Sequence, residues 1–137
     1  MRRRVLLDTG PLVAFLNRRD RHHVWAKDRL AEAATPALSC EAVLTEASYL
    51  LRHDANGPRS VANLVADGLI AVPFRFATEA QRIERLLARY ADVPMSLADA
   101  CLVRLAEIEA GSAVLTLDTH FRIYRMHGRQ VIPVLMP

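Results

Sequence analysis

The stretch Val5-Leu6-Leu7-Asp8-Thr9-Gly10-Pro11 decides how the chain is read: a short apolar run stops on a carboxylate and turns at once into Gly-Pro. Val5 to Asp8 is predicted to be a buried strand, followed by a short helix that Asp8 or Thr9 caps, with Pro11 in its first turn and Leu12, Val13, Phe15 and Leu16 as its apolar residues. A strand that ends in aspartate at the mouth of a turn puts that charge at the sheet edge where open α/β folds keep their chemistry.

Outward from there the chain alternates helical stretches with short apolar runs. A polar loop, Asn17 to His23, leads to a helix from Val24 to Ala34, closed by Thr35-Pro36. Ala37-Leu38-Ser39 is a minimal strand, after which Ser39 can cap a helix from Cys40 to His53. Beyond Asn56-Gly57-Pro58 a helix runs from Arg59 to about Asp67, and Gly68 ends it before a strand from Leu69 to Val72. Thr78 to Tyr90 is amphipathic, with Ile83, Leu86, Leu87 and Tyr90 on one side, and Ser96 opens a long apolar helix that stops at Gly111. The strand Ala113 to Thr116 precedes Asp118, a short helix from Thr119 to about Arg125 follows, and Val131 to Leu135 is a last strand, on an edge because Pro133 interrupts it. The pattern predicts one domain over residues 1–137, an α/β fold with a mostly parallel sheet covered by helices on both faces.

Composition narrows the setting. Apolar residues make up 52% of 137, which rules out a disordered chain, and no apolar run reaches the ~18 residues that span a bilayer. Arg2-Arg3-Arg4 is followed by too few apolar residues for a signal peptide. Cys40 and Cys101, each among apolar residues, suit small buried side chains in a reducing cytosol better than a disulfide. A cytoplasmic protein with no membrane contact is expected.

Four acids share a common placement. Asp8 and Asp118 end strands, Asp99 opens a helix, and Glu46 lies in the helix after the second strand, so a parallel sheet brings all four toward its carboxyl edge. Glu46 occupies the i+3 slot between Val43 and Leu50 and is expected to aim at the interior; Asp99 leads the series Leu102, Val103, Ala106 along one face. Each acid alone has a plainer role, Asp8 and Asp118 as helix caps, Asp99 in a capping box with Ser96, Glu46 at the rim of the core or paired with an arginine. Together they conflict, since two carboxylates at ~4 Å repel by roughly 4 kcal/mol at an effective dielectric near 20. A hard divalent cation removes the conflict, and all-oxygen ligands favour magnesium or manganese over zinc. Such a site polarises a phosphodiester and activates water.

The charge balance agrees. The chain carries 18 basic against 15 acidic residues; setting aside the four proposed ligands leaves 18 against 11, an excess that attracts a polyanion. All the basic residues but Lys27 are arginine, which suits phosphate and equally follows from genome composition bias. Arg18-Arg19-Asp20-Arg21 and Arg122, Arg125 and Arg129 can contact phosphate or form a solvated face, and Trp25 and Tyr49 are expected in the core rather than against bases.

With these residues in place the chain resembles the PIN-domain nucleases, most of all the small VapC-type toxins of VapBC toxin–antitoxin pairs. The resemblance covers essentially the whole chain. It rests on Leu6-Leu7-Asp8-Thr9-Gly10-Pro11-Leu12, on Glu46, on Leu97-Ala98-Asp99-Ala100 after Pro94-Met95-Ser96, and on Leu115-Thr116-Leu117-Asp118-Thr119-His120-Phe121. It implies an α/β/α sandwich, a magnesium- or manganese-dependent endoribonuclease acting on RNA, a homodimer, and neutralisation by a small antitoxin. Asp8, Glu46 and Asp99 match the family's three core metal-binding acids and Asp118 its more variable fourth; Thr9 and Thr116 stand at hydroxyl positions that orient a ligand or water. His120, next to Asp118, can touch substrate. Leu117 departs from the small polar residue common there.

Other readings compete. One is a PIN nuclease of RNA processing without an antitoxin; another is a non-catalytic module that binds RNA or protein. An aspartyl-phosphate fold would want a second acid near Asp8 and a lysine near the site, yet position 10 is Gly and the lysine is Lys27. His22, His23, His53, His120 and His127 lack zinc-site spacing with either cysteine, and no phosphate-binding G-x-x-x-x-G-K-[ST] loop is present.

Overall fold

The computed structural model describes residues 2–54 and 56–137. Its centre is a five-stranded parallel sheet in the order β3-β2-β1-β4-β7, built from β1 (Val5–Leu7), β2 (Ala37–Leu38), β3 (Ile70–Ala71), β4 (Ala113–Leu115) and β7 (Val134–Leu135). Leu6 pairs with Leu38 on one side and Val114 on the other, so β1 is the middle strand. Such a strand is covered on both faces and must be apolar throughout, and Val5, Leu6 and Leu7 are each at most 1% exposed.

Helices flank the sheet: α1 (Thr9–Leu16), α2 (His23–Glu32), α3 (Glu41–Leu50), α4 (Gly57–Ala66), α5 (Phe76–Arg89) and α6 (Leu97–Ile108). The expected α/β/α architecture is therefore present. From β1 the chain moves outward through β2 to β3, then returns across the sheet to β4 on the far side of β1. The strand order reverses between β1 and β4, and crevices at such a reversal, beyond the carboxyl ends of the strands, are where open α/β sheets bind ligands.

The periodicities hold best where burial is strongest. On α5, Ile83 and the following Tyr90 are buried with Leu86 and Leu87 packed beside them. On α6, Arg104 bridges Glu107 and Glu79 of α5. Cys40 and Cys101 are free and buried. Among the described residues no helix is long and apolar enough to cross a membrane.

Several elements differ from expectation. The helix after β2 is capped by Cys40, not Ser39, and stops at Leu50 instead of His53; the Ser39 hydroxyl donates to the Leu7 carbonyl and ties β2 to β1. The helix expected from Thr119 to Arg125 is one 3-10 turn, Thr119–Arg122. Val131 does not belong to the last strand: Arg125–Met126 (β5) and Gln130–Val131 (β6) form a separate antiparallel hairpin, and only Val134–Leu135 joins the parallel sheet, on its edge. The hairpin turns on His127 and Gly128, with φ of 52° and 86°, a left-handed pair that a Gly at position 128 makes possible.

Candidate metal centre

Asp8 follows β1 directly, and its backbone N–H donates to the Leu115 carbonyl at 3.1 Å, so the register of β1 on β4 sets where the carboxylate lies. The side chain is 7% exposed and caps α1: Oδ1 accepts from the Thr9 N–H at 2.8 Å. Oδ2 accepts from the Thr116 hydroxyl at 2.7 Å. That same hydroxyl accepts from the Asp118 N–H at 2.9 Å, so Thr116, fully buried at the end of β4, sets the positions of two acids at once. Burial pushes the Asp8 carboxyl up to about 6; its hydrogen bonds from Thr116 and Thr9 pull the other way, and the Asp99 and Asp118 carboxylates add to the rise.

Asp99 is both a helix cap and a buried acid. It completes a capping box with Ser96, whose hydroxyl accepts from the Asp99 N–H at 3.0 Å. It is also 8% exposed, with Oδ2 accepting from the Tyr124 hydroxyl at 2.9 Å. Tyr124 is wholly buried against Tyr90 and Phe121, with ring centroids at 5.1 and 5.2 Å. Burial and the Asp99 bond hold its phenol well above the ordinary range, so it remains a neutral donor. Asp118 caps the 3-10 turn through the His120 N–H and lies 3.3 Å from His120 Nδ1.

Asp8, Glu46, Asp99 and Asp118 all line one cleft of about 340 Å³, together with Thr9, Gly10 and Leu117. Glu46 requires a correction. It is exposed, and what it shares with Leu50 is the cleft wall, while Val43, Ala47 and Leu51 make the buried stripe of α3. The i+3 slot between Val43 and Leu50 reads as interior only if Leu50 is core, and Leu50 is 53% exposed.

The same cleft contains Asp20, read from the sequence only as part of a charged loop. Its Oδ1 accepts from the His22 N–H at 2.8 Å, a local turn that holds the carboxylate against the cleft. A lone acid in a polar loop has no periodicity to betray it. Tyr124 falls in the stretch expected as a short helix from Thr119 to about Arg125, where nothing in the neighbouring residues marks it as a partner of Asp99.

The donor chemistry of this cleft fits a hard divalent cation. Among the described residues no lysine or arginine forms an ion pair with any of these acids. Thr9 Oγ1, on the cleft wall, is buried without a hydrogen-bond partner, an atom that a ligand or its water can satisfy. The acids are not a closed cage: among the described residues no three His, Cys, Asp or Glu side chains stand close enough to hold an ion by themselves. Magnesium dehydrates reluctantly and keeps several of its waters beside one or two carboxylates, so a cleft wider than a direct cage suits it.

The PIN domain family model matches residues 5–125, from the first residue of β1 to the start of the hairpin. The chain belongs to the PIN-domain family. Ribonuclease VapC26 of Mycobacterium tuberculosis is 26% identical over 127 residues, spanning 90% of this chain and 94% of that protein. Two crystal structures share the PIN-domain fold. One is VapC20 of Mycobacterium tuberculosis, described as a Sarcin-Ricin loop cleaving toxin, with a TM-score of 0.68 at 22% identity over 76% of this chain and 82% of that one. The other is VapBC2 from Rickettsia felis bound to a DNA fragment from its promoter, with a TM-score of 0.63 at 16% identity over 97% and 98%.

Proposed function

We propose that this PIN domain is a divalent-metal-dependent endoribonuclease and the toxin of a type II toxin–antitoxin pair, with Asp8, Glu46, Asp99 and Asp118 as its metal-binding acids. The observation that carries this reading is the cleft at the strand-order reversal that all four acids line, with no lysine or arginine ion-paired to any of them among the described residues. The name of the VapC26 relative supports RNA as substrate, and the VapBC2 complex supports an antitoxin partner.

When bound, magnesium or manganese would supply positive charge to the scissile phosphodiester and acidify a water. The chain's own residues do the positioning. Thr116 and the Thr9 N–H fix the two oxygens of Asp8, while Tyr124 and the Ser96 N–H both engage Oδ2 of Asp99. Asp99 Oδ1 and both Glu46 oxygens have no hydrogen-bond partner among the described residues and stay free for a cation or its water. Thr9 Oγ1 can orient a water, and His120 holds Asp118 from the solvent side. No side-chain nucleophile is needed.

The test is cleavage of a mixed RNA pool by the purified protein in magnesium or manganese, beside Asp99→Asn and a chelator control. Cleavage that disappears in both controls supports the reading; a wild type free of co-purified protein that leaves RNA intact refutes it. Expression of the chain in cells should arrest growth, and co-expression of a short neighbouring gene product should relieve the arrest if an antitoxin exists.

A further inference from the structure

The outer face of α3 carries a feature that the acid cleft does not explain. Tyr49, expected in the core, is 62% exposed, and Trp25 alone of the two packs against the core. The Arg52 guanidinium lies 3.9 Å from the centroid of the Tyr49 ring and donates to the Tyr49 carbonyl at 2.8 Å, which covers one face of the ring and steadies it. Helical spacing puts Tyr49 next to Glu46, three residues before it, and Glu46 lines the acid cleft together with Leu50. Beyond the end of α3 at Leu50, His53 lines a second cleft of about 500 Å³ with Arg18, Arg19 and Asp54.

Arg18 and Arg19 are both exposed. Asn17 Oδ1 accepts from the Arg19 N–H at 3.0 Å and shapes the loop, while among the described residues neither guanidinium has an ion-pair or hydrogen-bond partner. Tyr49 is thus an exposed aromatic ring one helical turn from Glu46 of the acid cleft and four residues before His53 of the cleft that holds Arg18 and Arg19. Single-stranded nucleic acid is gripped by this combination, a base on an aromatic face and backbone phosphate on nearby arginines.

We infer that the face formed by Tyr49, Arg52, Arg18 and Arg19 is the seat of the single-stranded RNA segment flanking the scissile bond, with a base stacked on Tyr49 and the next phosphate in the arginine cleft. This rests on the ribonuclease reading for its placement beside the acids. Charge decides the occupant: a hydrophobic protein partner would use Tyr49 and Leu50 and gain nothing from two unpaired arginines, whereas a phosphodiester strand uses both.

The experiment is binding of fluorescein-labelled single-stranded RNA of mixed sequence in chelator, where no cutting occurs, followed across salt for wild type, Tyr49→Ala, Tyr49→Trp and Arg18→Ala with Arg19→Ala. Tyr49→Ala should weaken binding roughly 5- to 100-fold and Tyr49→Trp should retain it. The double arginine variant should lower the slope of log affinity against log salt by about 1.4, two phosphates' worth. All of these side chains are exposed, so the variants should melt with wild type. Unchanged affinity in both Tyr49→Ala and the arginine pair overturns the inference. So does an affinity loss that only accompanies a fall in sedimenting mass, which makes this face an interface between protein chains. A wild type that binds RNA through Tyr49 but cuts none in magnesium would leave this face standing and remove the ribonuclease reading instead.

Discussion

Asp8 shows how the candidate site costs the fold something. Its carboxyl is raised from about 3.8 to about 6 by burial, so the native state holds its proton more tightly than the unfolded chain does. The stabilisation from that proton is present below the unfolded value and is lost as pH rises through about 6, which leaves ionised Asp8 costing the metal-free protein about 3 kcal/mol at neutral pH. Asp8→Asn in chelator should therefore melt above wild type at pH 7.5 and lose the advantage near pH 4. Equal melting at both values would contradict this account of the cleft. Tyr124→Phe removes a side-chain donor to Asp99 while keeping the ring packing, and its predicted cost is about 1.5–3 kcal/mol in urea unfolding together with reduced RNA cleavage.

At the scale of elements, caps and turns carry the testable strain. A Cβ on Gly57, at the start of α4, would lie 2.4 Å from the Leu51 carbonyl oxygen, a backbone atom that cannot step aside. Gly57→Ala should lower stability by about 1–3 kcal/mol, readable as a shifted urea midpoint, even though alanine favours helix. Ser96→Ala removes the capping box of α6 and should cost about 1 kcal/mol. These elements also show what could be read from the residues. The strand before Asp8, the Ser96–Asp99 box and the apolar side of α5 were legible because burial and capping impose local patterns on neighbouring residues. The hairpin after Tyr124 was not, since two-residue strands are too short to alternate and Pro133 blurred them into the edge strand beyond.

For the whole molecule, the topology explains why distant residues converge. The return from β3 across to β4 brings positions 8 and 116 into adjacent strand ends, and α3 and α6 add Glu46 and Asp99 from either side of that reversal. Carboxylates after strands and in helix starts gave this convergence away, because a parallel sheet forces them to one edge. Glu46 lines the cleft and is exposed, not aimed at the interior as its helical spacing suggested, since spacing could not tell a core face from a cleft wall. Asp20 and Tyr124 depend on loop paths that no periodicity encodes, and the exposure of Tyr49 depends on which part of α3 the rest of the fold leaves uncovered.

The central claim is that the acid cleft binds a divalent cation, and a manganese titration followed by calorimetry tests it most directly. Wild type should bind manganese, with Asp99→Asn and Glu46→Gln each weakening it at least tenfold while remaining folded. A wild type that takes up no manganese, or variants that bind it as well as wild type, would contradict the claim.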